Sequence, residues 1–166
     1  MFRKIDDFLS SWTHEHDATM KVLQALTDDS LSQRVYDGGR TLGYLAWHIT
    51  LTLSEMMNRT GLIVQGPAHD APAPSSAADI AAAYSASSAS LVQEIKDKWT
   101  DETLTETDDM YGEIWPRGIT LAVLINHQAH HRGQVTVLMR QAGLSVPGVY
   151  GPSKEEWVAY GMEPLN

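Results

Sequence analysis

Leu124-Ile125-Asn126-His127-Gln128-Ala129-His130-His131-Arg132-Gly133-Gln134 sits inside a proline-free run from Thr120 to Ala142. On an α-helix, residues four apart are separated by about 40° of rotation and about 6 Å of rise, so His127 and His131 share a face and His130 turns partly aside. Leu124, Val135, Leu138 and Ala142 fall along the same stripe, which directs the histidine pair toward a core. Thr120 can open this helix, and Gly143 supplies a left-handed stop.

Three further helical segments lie upstream. In the first, Ile5, Phe8, Leu9, Trp12, Met20, Leu23 and Leu26 recur at spacings of three and four, with His16 on the same stripe, and the segment should end before Asp28-Asp29-Ser30. Gly38-Gly39 leads to Thr41, an N-cap for a second helix that presents Leu42, Leu45, His48, Ile49, Thr52 and Met56 on one face and stops near Gly61. From Gly61 to Ser76 the composition turns to Gly, Pro, Ala and Ser, with prolines at 67, 72 and 74, so this is a long crossover. A third helix spans Ala77 to Trp99 with an inward stripe of Ile80, Tyr84, Ser87, Leu91, Ile95 and Trp99. The polar stretch to Asp109 and the segment Tyr111 to Gly118 read as a structured loop. The tail carries a short helix at 153–160 whose solvent face takes Lys154, Glu155 and Glu156. The expected architecture is all-α: one domain over residues 1–166, a four-helix bundle with a long crossover between helices two and three and a short C-terminal helical tail.

Composition narrows the function. Twelve basic against 21 acidic residues give a net charge of −9, with the cations scattered, which argues against binding to nucleic-acid phosphates or to a membrane surface. With no cysteine, thiolate nucleophiles and cysteine-ligated metals are excluded, so any metal site must use His, Asp or Glu. No apolar run approaches the roughly 18 residues of a membrane span, and the N-terminus lacks the apolar stretch of a signal peptide. A cytoplasmic location is the expectation.

Imidazoles facing a core need partners for both nitrogens, and metal coordination through one with a hydrogen bond through the other meets that need. Hydrogen bonding within a polar patch is the alternative. His48, inward on the second helix, can face the His127/His131 pair across a bundle. Three neutral imidazoles would leave coordination positions open on Zn²⁺, Ni²⁺ or Fe²⁺. Gln128 stands where a zincin metalloprotease would carry its glutamate base, which disfavours that class. Gln134, three residues from His131, could lie beside the site or simply pack. His16 could be a fourth ligand, a proton relay or a buried hydrogen-bonding group, while His14 and His69 read as surface or loop residues. Trp47, Trp115 and Tyr111 could wall an apolar pocket. Gly133 suggests a close helix approach, at a dimer seam if not within the chain, and Arg132 either pairs with a carboxylate or is solvated.

The motif His127-x-x-His130-His131-Arg132-Gly133-Gln134, with His48 in Leu45-Ala46-Trp47-His48-Ile49 and the ending Tyr150-Gly151-Pro152 through Tyr160-Gly161, resembles the DinB/YfiT family of bundle proteins. The resemblance implies a four-helix bundle, often a homodimer, with a divalent metal on residues matching His48, His127 and His131. It also implies low-molecular-weight thiols as partners, in a thiol-dependent S-transferase or isomerase acting on a small electrophile. Many members carry Glu where Gln128 stands. Two other readings stay open: a non-catalytic, stress-associated metal-binding protein, and a metal-dependent hydrolase if Glu55 or Glu113 reaches the site.

Overall fold

The computed structural model describes residues 1–163. Four helices dominate it: α1 (Ile5–Gln24), α2 (Leu42–Met57), α3 (Ala77–Lys98) and α4 (Arg117–Gln141). Both α1 and α2 pack against α3 and α4, so α1 lies diagonally across from α2. The stripes of the sequence become the core. Phe8, Trp12, Ile49, Leu53, Tyr84, Leu91, Ile95, Leu121, Leu124 and Val135 are all essentially removed from water.

The helix boundaries follow local chemistry. Thr41 Oγ1 accepts from the Tyr44 amide at 3.1 Å and Ser76 Oγ from the Asp79 amide at 3.3 Å, each satisfying a donor that the first turn leaves free. At the end of α4, Gly143 adopts φ +76° while the Leu144 amide reaches back to the Met139 carbonyl at 2.9 Å, the left-handed stop read from the sequence.

The crossover from Gly61 to Ser76 lacks helix and strand but is held at several points. Asn58 clamps Val64 through both its amide nitrogen and its carbonyl, at 2.7 and 3.2 Å. Ser90 Oγ accepts from the Gln65 amide at 2.8 Å, and Trp47 Nε1 donates to the Ala71 carbonyl at 2.7 Å. At Gly66 the chain passes so close to α2 that an added Cβ would stand 2.8 Å from Ser54 Oγ.

Three expectations are corrected. The segment before α4 is not a loop but an antiparallel hairpin, β1 (Thr107–Met110) against β2 (Glu113–Pro116), closed by Tyr111 and Gly112, both at positive φ. Two left-handed residues in succession match the twist of a two-residue hairpin, and tyrosine at the first of them disguised the turn. Arg117 then fixes the hairpin base through Asp108 at 2.9 Å and Glu106 at 2.6 Å, so α4 begins directly after Pro116 and not at Thr120. The tail helix shortens to a 3₁₀ turn at Trp157–Tyr160, where Gly161 in the left-handed region ends it.

For Gly133 and Arg132 the structure chooses between the readings left open. Among the described residues, nothing outside its own helix lies within 4 Å of a Cβ built on Gly133, so no helix of the same chain approaches closely there. Arg132 is 2 % exposed and forms an ion pair with Glu15, itself 5 % exposed, at 2.7 Å. Thr19 Oγ1 accepts from the same guanidinium at 2.8 Å. The Tyr150 hydroxyl donates to Glu15 at 2.6 Å and accepts from Arg132 at 2.7 Å, which fastens the tail to α1 and α4. Desolvating both charges is tolerable because both carboxylate oxygens and both terminal guanidinium nitrogens are engaged.

Candidate metal centre

His48 from α2 and His127 and His131 from α4 converge on one point. Their Nε2 atoms stand 3.2 Å apart for His48–His127 and 3.2 Å for His127–His131. The potential ligand atoms of all three lie within 4.8 Å of one another. Neutral imidazoles carry one proton each, so three nitrogens facing one point cannot all be served by hydrogen bonds among themselves.

Gln134 decides the protonation of one ring. Its Oε1 lies 2.7 Å from His131 Nδ1, and its amide nitrogen lies 3.2 Å from His130 Nε2. The amide nitrogen can only donate, so the oxygen faces His131 and the His131 proton sits on Nδ1. The Nε2 lone pair is thereby left pointing at the other two rings. Among the alternatives raised by the sequence, Gln134 therefore lies beside the site and holds a ring in place.

Burial and mutual repulsion keep the cluster neutral. His127 is pushed down to about 4, first by burial and then by His131, His48 and His130. His48 is lowered by burial, His131 and Arg40, and His131 by burial against the opposing pull of its Gln134 bond. Neutral imidazole is the ligating form.

Two of the three, His48 and His127, open onto a cavity of about 510 Å³. Leu51, Met56, Val123 and Trp115 give it apolar walls, and Tyr111 stands at its outer side on the hairpin tip. Glu55 also lines it, but with both oxygens occupied: Oε1 accepts from Arg59 at 2.9 Å and Oε2 from the Tyr111 hydroxyl at 2.6 Å. Glu113 lies on β2, where it accepts from Trp115 Nε1 at 2.8 Å, and it is not part of the cavity wall.

The remaining sequence candidates fall elsewhere. His16 stands apart from the cluster, with Nδ1 2.9 Å from Ser88 Oγ and its ring stacked on Tyr84, so of its three possible roles it fills the hydrogen-bonding one. Trp47 does not line the cavity; its indole is turned to the crossover at Ala71. Gln128 is fully buried and donates to the Ile49 carbonyl at 3.1 Å, joining α4 to α2 one residue beyond His48. The donor half of the amide is matched, while its Oε1 is buried without a partner among the described residues; a carboxylate there would face the carbonyl oxygen with no proton to offer. His69 is the exposed loop residue that the sequence suggested, and it also lines the cavity with His48 and His127. No periodicity marks a residue in a Gly- and Pro-rich crossover, so the sequence carries no signal for it.

Residues 1–164 match the DinB family as a whole. The chain belongs to the DinB family. It is 50 % identical over 163 residues to the uncharacterized protein YrdA of Bacillus subtilis (strain 168), covering 98 % of each chain. A crystal structure of a DinB-like protein from Bacillus cereus ATCC 10987 is similar with a TM-score of 0.88 at 49 % identity, over 90 % of this chain and all of the other. The DinB-like protein YjoA of Bacillus subtilis shares the fold at a TM-score of 0.69 and 16 % identity, over 89 % of this chain and 99 % of that one.

Proposed function

We propose that this DinB-family protein is a metal-dependent enzyme, a thiol-dependent S-transferase or isomerase acting on a small electrophile. The observation that carries the reading is the convergence of three neutral histidine Nε2 atoms beside a largely apolar cavity that His48 and His127 line. His48, His127 and His131 would hold the metal, with Zn²⁺, Ni²⁺ and Fe²⁺ all compatible with three imidazoles. When bound, such an ion lowers the pKa of a coordinated thiol or water and so supplies a nucleophile at neutral pH.

The rest is the work of the chain. Gln134 fixes the His131 ring, and Gln128 fixes the α2–α4 spacing that sets His48 against His127. Leu51, Met56, Val123 and Trp115 exclude water and favour an apolar electrophile over a charged one. Glu55 is engaged through both oxygens by Arg59 and Tyr111, so a hydrolase base there would have to share or give up one of these bonds, whereas thiol transfer needs no carboxylate. A purely structural metal would be expected in a sealed site, whereas His48 and His127 border about 510 Å³ of open volume.

A low-molecular-weight thiol and the small electrophile are the proposed partners, with a second copy of the chain in a homodimer. No helix among the described residues is long and apolar enough to cross a membrane, in keeping with the proposed cytoplasmic location. The test is to load the protein with Co²⁺ and add 2-mercaptoethanol. A new near-ultraviolet sulfur-to-cobalt charge-transfer band is expected. An unchanged spectrum at saturating thiol would refute the thiol reading.

A further inference from the structure

Glu55 borders more than the cavity beside the histidines. A second cavity of about 520 Å³ lies against the other side of α2 and the crossover, and the two share Glu55 and His69 as wall residues. His69, an exposed residue of the crossover, thus borders both chambers.

We infer that His69 accepts the proton of the nucleophile that enters this cleft. The inference rests on the thiol chemistry proposed above. Every other titratable or charged group facing the two chambers already has a described partner. His48 and His127 converge with His131. Glu55, from α2, accepts from Arg59 and Tyr111 with both oxygens. Arg59, just beyond α2, is a permanent cation with no lone pair to offer. Tyr111, on the hairpin, donates to Glu55, and burial together with that bond pushes its ionisation up. His69 makes no hydrogen bond to another described residue, so a ring nitrogen is available.

Its backbone is nonetheless placed. The crossover is clamped before it by Asn58 on Val64 and Ser90 on Gln65, and after it by Trp47 on Ala71. An imidazole on a tethered segment at the mouth of an apolar chamber can meet an incoming thiol before water is excluded. The step is a simple transfer: the S–H bond breaks, its electron pair stays on sulfur, and the proton forms an N–H bond on His69. The imidazolium then holds that proton for the leaving group or product.

The test counts protons. Co²⁺-loaded protein is titrated with 2-mercaptoethanol at pH 7 by calorimetry in two buffers of different ionisation enthalpy, for the wild type, His69→Ala and His69→Gln. Glutamine keeps a hydrogen-bonding side chain but takes no proton at neutral pH, which separates proton acceptance from mere contact. The wild type is expected to release clearly less than one proton per chain, and both variants about one. Equal release in all three overturns the assignment, as does loss of Co²⁺ from the variants, which would make His69 part of the metal site. Absence of the charge-transfer band in the wild type itself would instead remove the thiol reading, and the inference with it.

Discussion

Replacing Gln134 with Ala isolates one feature of the cluster without touching a ligand. The side chain is on the surface of α4, so its removal should change folding stability by less than about 0.5 kcal/mol. What is lost is the 2.7 Å bond that keeps the His131 proton on Nδ1 and the ring facing His48 and His127. Groups that orient a metal-ligating histidine in this way are typically worth about 10–100-fold in affinity, or about 1.4–2.7 kcal/mol. The consequence is measurable by linkage. At free metal fixed at about 100 times the wild-type Kd, binding adds about 2.7 kcal/mol to stability, and in Gln134→Ala this falls to about 0.4–1.4 kcal/mol. For a chain of this size the difference lowers the metal-bound Tm by about 3–9 °C, with the metal-free Tm unchanged. Gln134→Glu supplies an acceptor of at least equal strength and should restore affinity. Competition against a chromophoric chelator gives the affinities directly. Binding by Gln134→Ala within twofold of wild type would show that the Gln134 bond does not position a ligand.

Other perturbations follow from the same structure. Gln128→Glu should destabilise the fold by about 2–3 kcal/mol at pH 8, because a buried carboxylate would face the Ile49 carbonyl; burial raises its pKa, so the loss should shrink toward pH 5 as the carboxyl regains a proton to donate, as urea unfolding at the two pH values can show. Arg132→Met should cost about 3–5 kcal/mol by leaving Glu15 buried without its partner, and Glu15→Gln in the same chain should recover most of it; if the single variant unfolds at the wild-type denaturant midpoint, the ion pair is not buried as described. Metal-free protein should lose stability as pH falls from about 6.5 to about 4, because His127 stays neutral in the fold down to about 4 while the unfolded chain protonates near 6.5. The full difference is about 3 kcal/mol, reduced to about 2 by partial solvent contact, and chemical denaturation across this window measures it.

The helices were legible in the sequence because their inward residues repeat with a helical period and their ends carry recognisable chemistry. Thr41, Gly61 and Gly143 each mark a boundary the structure keeps. The convergence of His48 with His127 and His131 was legible for the same reason: all three lie on core stripes. What escaped was set by tertiary contact. The hairpin from Thr107 to Pro116 is rich in acidic residues and turns through Tyr111-Gly112, so neither strand propensity nor a familiar turn pair announced it; Arg117 bridging Asp108 and Glu106 is what makes those charges tolerable. For Arg132 the sequence left pairing and solvation both open, because its partner Glu15 lies 117 positions away. His16 and Trp47 share stripes with core residues, but a stripe says only that a side chain points inward. Ser88 and Ala71 decide what each one meets there. His69 reached the cavity wall through the path of the crossover, which composition describes only as irregular.

The central claim is that His48, His127 and His131 bind one divalent ion. Elemental analysis of untagged protein, purified without chelator or nickel resin, tests it beside His48→Ala, His127→Ala and His131→Ala, with circular dichroism to confirm that each variant remains helical. About one equivalent of metal per chain in the wild type, lost in every folded variant, is the expected result. A wild-type protein that is empty and takes up no added Zn²⁺, Ni²⁺ or Fe²⁺, or variants that keep full occupancy, would contradict it.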